Sequence, residues 1–381
     1  MELKRALEFC EAERSWLVET VTALARLESP TSDKAAVDRC GVELARRLAE
    51  IGAAVDTIPN DEVGDHIRAS VGDGPSQLLM LGHFDTVWPV GQIARMPVVE
   101  DAQGRLSGPG VFDMKAGLGI GMLAVRALKA QDALPSRSLV MLFTADEERG
   151  SKTSRALIEA EARRSDAVCV LEPSLPGGAL KTARKGSGEF ELRIDGVSAH
   201  AGIEPEKGAS AIHELARQIV ALEALRDQDR GIFVNVGVVG GGSRPNVVAE
   251  HAHCLIDVRA GTSADRARVE GALHALVPTL SGTALRLTGG FSRPPLERSD
   301  AVVRLFKTAQ EIAAQLGHDL QEGSTGGGSD GNFTAALGVP TLDGLGAVGG
   351  GAHALDEHVE VTELLWRAAL VAGLLHRLGT V

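Results

Sequence analysis

The chain has 381 residues, 44% of them hydrophobic and 24% charged, with a formal net charge of −12. That length suits two domains rather than one and supplies apolar mass for two cores. A net charge of this sign argues against nonspecific binding to nucleic acid or to an anionic membrane surface, but a local arginine can still hold an anionic small molecule. The opening Met1-Glu2-Leu3-Lys4-Arg5 leads into a charged helical pattern without an apolar signal core, and no apolar stretch is long enough to span a bilayer, so a cytoplasmic protein is expected. Cys10, Cys40, Cys169 and Cys254 are widely spaced, form no CxxC pair and read as reduced thiols.

The first two segments carry helical patterns. Val37, Cys40, Leu44, Leu48 and Ile51 recur at helical spacing, and Gly52 ends the run as a C-cap. Short apolar strands then alternate with helices: strand 78–81, helix 115–129, strand 138–144, helix 153–163 and strand 167–171. Continuous apolar strands between helices predict a mixed, mostly parallel α/β sheet covered on both faces. After Pro176-Gly177-Gly178 the pattern changes. Phe190, Leu192 and Ile194 alternate with Glu189, Glu191, Arg193 and Asp195, and Ile232, Val234, Val236 and Val238 repeat the alternation. Strict period two signals half-buried antiparallel strands. With helices near 208–225 and 263–276, the order strand–helix–strand–strand–helix–strand predicts an inserted α+β domain of the split βαβ, ferredoxin-like kind. The chain returns near Arg293-Pro294-Pro295, and helices 301–316 and 361–378 follow. The expected organisation is a first catalytic segment at 1–180, an inserted lid or dimerisation domain at 181–294 and a second catalytic segment at 295–381, with hinges near 177–181 and 293–295.

Acids and histidines gather where these runs end. In open α/β sheets, ligands collect at the carboxyl ends of the strands, and His83, Glu147, Glu148 and Glu172 all fall just past expected strands. Imidazole nitrogen and carboxylate oxygen are the donors zinc takes. A carboxylate between two ions must use both oxygens, and Asp113, short-stemmed and in a Gly-Pro-Gly-flanked turn, fits that role. The adjacent Glu147 and Glu148 cannot share one direction, so one can bind metal while the other faces the attacking water as general base. Asp85, two residues after His83, alternates back to the same side and can accept the other imidazole N–H.

On Gly82-His83-Phe84-Asp85-Thr86-Val87, Gly108-Pro109-Gly110 through Lys115, Thr144 through Glu148, Leu171-Glu172-Pro173, Ser198-Ala199-His200-Ala201-Gly202 and His353 after its glycine run, the chain resembles the dinuclear zinc peptidase and deacylase family of glutamate carboxypeptidase, acetylornithine deacetylase and succinyl-diaminopimelate desuccinylase. The resemblance covers nearly the whole chain. It implies that Asp113 bridges two Zn2+ ions, with Mn2+ or Co2+ as substitutes. His83 and Glu172 would complete one site, and Glu148 and His353 the other. It further implies that Glu147 is the general base, that Asp85 orients His83, and that His200 reaches the active site of a second subunit to stabilise the oxyanion. Asn246 and Arg259 resemble residues that hold a substrate carboxylate, for which a planar guanidinium is suited. The alternative for Arg259 is a surface ion pair with Asp257 or a neighbouring acid. Arg293 matches a substrate-pocket position more loosely and could equally cap the return linker.

The glycine runs 326–328 and 349–351 match neither a GxxxxGKS loop nor a GxGxxG turn between strand and helix, which argues against nucleotide binding. The 325–330 segment resembles the glutamate carboxypeptidase branch most. The expectation is therefore hydrolysis of the amide bond to a C-terminal amino acid, glutamate first, in a dipeptide or N-acyl amino acid. Deacetylation or desuccinylation is the runner-up. A non-catalytic, metal-stabilised dimer that binds carboxylates is the rival from another class, and such a module has no need of Glu147. The expected partners are a small peptide or N-acyl amino acid and a second copy of the chain, with no nucleic acid and no membrane.

Overall fold

The computed structural model describes residues 1–380. The chain divides into two compact units. The first comprises Met1–Thr182, Arg298–Thr325 and the chain from Ser329; the second comprises Ala183–Glu297 with Gly326–Gly328.

The first unit is built on a six-stranded mixed sheet. Its order is Ala54–Ile58, His66–Val71, Ser138–Thr144, Gln77–His83, Ser165–Val170, Thr341–Leu342. The last four run parallel and the first two pair antiparallel at one edge. Gln77–His83 is buried along its whole length, which explains its uninterrupted apolar run. Its side chains alternate between two cores. Leu78 and Met80 join Met141, Cys169 and the helices Ala116–Ala130 and Val361–Gly379 on one face, whereas Leu79 and Leu81 join Val140, Val168, Ile158 and Phe333 on the other. Each such Leu or Val contributes on the order of 1.5–3 kcal/mol by leaving water. The expected α/β fold with both faces covered is thus the observed one. The antiparallel strands Ala54–Ile58, an edge that is largely exposed, and His66–Val71, beside it, lack such an uninterrupted apolar run and carried no clear signal.

A second, smaller sheet matters more for function. Gly349–Gly350 pairs with His358–Glu360, which pairs with Arg105–Ser107, which pairs with Val99–Glu100. These pairings set the loop between residues 350 and 358 beside the turn that follows Ser107. Neither could be read from periodicity, since strands of two or three residues carry none.

The second unit is a four-stranded antiparallel sheet in the order Phe233–Gly241, His251–Ala260, Gly186–Asp195, Ala284–Arg293. With helices Ala211–Glu223 and Ser263–His274 between strands, the first and third strands are central, as a split βαβ arrangement requires. Phe190, Leu192, Ile194, Cys254, Ile256 and Val258 form the buried face with Leu215, Leu222, Val269 and Leu273 of the helices. The acids and histidines that alternate with them lie on the open face. All four cysteines are buried and free of disulfides. Among the described residues, no helix is long and apolar enough to cross a membrane.

Candidate active site

Three parallel strands deliver the first group of side chains. His83 ends Gln77–His83, Glu147 and Glu148 open a single 3-10 turn just after Ser138–Thr144, and Glu172 lies two residues past Ser165–Val170. Glu172 is fixed through its main chain. Gly346 donates its N–H to the Glu172 carbonyl at 2.9 Å, and a Cβ on Gly346 would lie 2.1 Å from the Leu171 oxygen. Only glycine allows that approach. Asp113 sits in an irregular turn at Val111–Lys115, where its backbone is extended and its peptide to Met114 is cis. His353 lies in the loop that the small sheet carries to this turn, with φ of 59°.

These side chains converge. His83 Nε2 is 3.2 Å from Asp113 Oδ1 and 3.5 Å from Glu172 Oε1. His353 Nε2 is 3.4 Å from Asp113 Oδ2 and 3.3 Å from Glu148 Oε2. The two oxygens of Asp113 therefore face two different imidazole–carboxylate sets. Two donors each roughly 2.1 Å from a tetrahedral zinc stand about 3.4 Å apart, so these spacings suit two ions sharing Asp113. Donor atoms of His83, Asp113 and Glu148 also fall within 4.8 Å of one another. Glu148 Oε1 is buried without a hydrogen-bond partner. A buried carboxylate oxygen left so is costly, and a cation would satisfy it. The donor set fits hard-to-borderline divalent metal.

Electrostatics point the same way. Burial would lower the His83 pKa, but Asp113, Asp85 and Glu172 hold the imidazole well above its ordinary value. His353 is pushed up to about 10 by Asp113 and Glu148. Burial would raise the Asp113 carboxyl, yet His353 and His83 hold it well below the usual carboxylate range. Burial raises Glu148 above its ordinary value. The concentrated carboxylates thus draw positive charge into the pocket.

Further residues hold these side chains in place. His83 Nδ1 faces the Asp85 main-chain oxygen at 3.1 Å and Oδ1 at 3.4 Å, which leaves Nε2 for a metal. The nearer acceptor is the backbone rather than the expected carboxylate. That carboxylate instead accepts the N–H groups of Glu147 and Glu148 at 3.2 Å and the Thr31 hydroxyl at 2.6 Å. Glu147 stands beside Glu148 on the same turn, half-buried. Two acids escaped the sequence reading. Glu357 accepts N–H groups of Gly110, Phe112 and Asp113 and the Trp88 indole. Asp330 accepts hydroxyls from Thr144 and Ser151, one on each side of the Glu147–Glu148 pair. Their partners are backbone or hydroxyl groups far away in sequence, and no spacing rule exposes them.

The substrate-side residues all lie in the second unit, at opposite ends of its sheet. Ala201 N donates to Asn246 O at 3.0 Å, so His200 and Asn246 share one loop pair. His200 Nδ1 accepts from Gly202 N at 3.2 Å, which leaves Nε2 as a donor. Gly196 N donates to Glu250 O, anchoring these loops at the His251 end of its strand. Arg259 and Arg293 both register with Ser187 at the other end. At about 3.4 Å per residue, His251 and Arg259 are roughly 27 Å apart along the strand. Arg259 makes a two-pronged pair with Asp257 at 3.0 and 2.9 Å, the surface ion pair that was its alternative reading. Arg293 is buried.

Such a set of metal donors beside an acid defines the class of metal-dependent amide hydrolases. Sequence comparison makes the assignment specific: a family profile described as peptidase family M20/M25/M40 matches residues 79–377, and the chain belongs to that family. It is 28% identical to carboxypeptidase G2 of Pseudomonas sp. (strain RS-16) over 378 residues, spanning 96% of this chain and 90% of that one. It is 30% identical to succinyl-diaminopimelate desuccinylase of Xanthomonas euvesicatoria pv. vesicatoria (strain 85-10) over 357 residues, spanning 89% and 93%. The fold is that of aminopeptidase PepT from Bacillus cereus ATCC 10987, with a TM-score of 0.80 at 24% identity over 95% of this chain and 98% of that one. The protein is accordingly a metallo-hydrolase acting on amide bonds.

Proposed function

We propose that this enzyme uses two zinc ions to hydrolyse the amide bond of a C-terminal amino acid, glutamate first among candidates, in a dipeptide or N-acyl amino acid. The observation that carries the reading is Asp113, whose oxygens stand 3.2 Å from His83 and 3.4 Å from His353. His83 and Glu172 would hold one ion, Glu148 and His353 the other, and Asp113 both. Bound there, the metals supply polarisation of the scissile carbonyl and a lowered pKa for the attacking water.

The chain's own residues do the rest. Glu147 takes one proton from the water as its oxygen bonds to the carbonyl carbon, then delivers that proton to the leaving nitrogen as the C–N bond breaks. Asp85 keeps His83 in the ligating tautomer. His200 donates its Nε2–H to the oxyanion, and Asn246, Arg259 and Arg293 hold the substrate's free carboxylate. Arg259 would exchange Asp257 for that carboxylate, a planar acceptor of the same kind.

A homodimer follows from this assignment. One small substrate cannot reach both ends of a sheet roughly 27 Å apart, so His200 and Asn246 would serve the site of a second copy. Exposed Ile212 and Val220 on one helix, and Val238 and Val239 on the edge strand, support such a contact. The inserted unit would act as lid and dimerisation domain, and the four buried free thiols suit a reducing cytoplasm.

Desuccinylation or deacetylation of an N-acyl amino acid is the second reading, favoured by the 30% identity to a desuccinylase. Assay of the zinc-loaded protein on glutamyl conjugates and on N-acetyl and N-succinyl amino acids separates the two. Release of the C-terminal amino acid, lost on chelation and restored by zinc, is expected. Hydrolysis indifferent to chelator, or none of any substrate, would contradict the proposal.

A further inference from the structure

We propose that Glu357 is a positioning residue for the metal centre, fixing the direction in which Asp113 presents its two oxygens; the inference rests on the metal reading above. Glu357 is buried and lies four residues after His353. Its Oε1 accepts the N–H groups of Phe112 and Asp113 at 3.0 and 3.1 Å. Its Oε2 accepts Gly110 N at 3.0 Å and the Trp88 indole at 2.8 Å. The Glu357 carbonyl in turn accepts Gly108 N at 3.2 Å. One residue therefore satisfies the turn from 108 to 113 and links it to the loop that carries His353.

The consequence is geometric. Asp113 departs from helical backbone inside its turn, with φ −114° and ψ 92°. Its N–H is taken by Glu357, so the direction of its side chain is set by a group outside the turn. Because that group belongs to the His353 loop, the bridging carboxylate and one imidazole move as one body. A carboxylate is required: both oxygens accept two N–H donors, and an amide of equal size would turn its NH2 toward two of them. Groups that orient metal ligands from behind typically change metal affinity 10–100-fold when altered.

Glu214 supplies an internal control. It is fully buried in the other unit and accepts Thr279 N, the Thr279 hydroxyl, Leu280 N and the Gln218 amide. Glu214→Gln imposes a comparable lesion in a unit that holds none of the proposed ligands. The test is zinc stoichiometry by elemental analysis and zinc affinity by competition with a chromophoric chelator, on full-length chains, with melting curves in chelator alongside. Wild type and Glu214→Gln are expected to bind two zinc ions with equal affinity. Glu357→Gln should bind at least one of them 10–100-fold more weakly, and Trp88→Phe, which removes one donor, should fall between. Wild-type stoichiometry and affinity in Glu357→Gln, or an equal loss in Glu214→Gln, would overturn the inference. If Glu357→Gln does not fold, Trp88→Phe decides, and unchanged affinity there overturns it. A wild-type chain that binds no zinc would instead sink the metal reading itself.

Discussion

Asp85 Oδ1 stands 3.4 Å from His83 Nδ1, and the same carboxylate accepts the backbone N–H groups of Glu147 and Glu148 at 3.2 Å each. One fully buried residue thus faces a proposed ligand with both its main-chain oxygen and its carboxylate, and its side chain holds the turn that carries the proposed base. Asp85→Ala is expected to weaken zinc binding by about 10–100-fold and to lower kcat as well. Zinc competition and steady-state kinetics check this; a variant with wild-type values for both would remove Asp85 from the account.

His200 and Glu147 are assigned to the same reaction from different copies of the chain. His200→Ala should therefore lower kcat strongly while leaving two zinc ions bound. Mixing His200→Ala with Glu147→Ala chains should restore about a quarter of wild-type activity, because half of the dimers are mixed and each mixed dimer holds one intact site. Activity that stays at the level of the separate variants after subunit exchange would mean that His200 acts within its own copy or not at all.

His66 gives a pH prediction. Its Nδ1 accepts Ala145 N at 3.1 Å, and burial lowers its pKa below the ordinary 6.5. A histidine depressed in the folded state binds its proton more readily when unfolded. Its stabilising contribution is therefore full above pH 6.5 and is lost as pH falls through the folded value. Metal-free protein should melt at a lower temperature at pH 5 than at pH 7, and His66→Gln should show a smaller drop. An equal drop in both would contradict this assignment.

The sequence made legible whatever lies at the end of a fully buried strand. Leu78 to Leu81 and Leu139 to Phe143 are apolar on both faces because both faces are covered, and His83, Glu147 and Glu148 are conspicuous by contrast. Alternation in residues 189–195 likewise exposed the half-open sheet of the second unit. What stayed hidden depends on contacts without local pattern. Glu357 and Asp330 act through backbone N–H groups and hydroxyls more than 170 positions away. The Arg259–Asp257 pair was visible as a choice between two partners, and the fold sets the two residues on one strand, where they pair.

Glu147→Ala tests the central claim most directly, with bound zinc and turnover measured on the same zinc-loaded sample. The account predicts two zinc ions retained and turnover reduced by roughly a thousandfold or more on whichever amide the wild type cleaves, the loss expected when a general base is removed from an otherwise intact centre. Hydrolysis near the wild-type rate would contradict it.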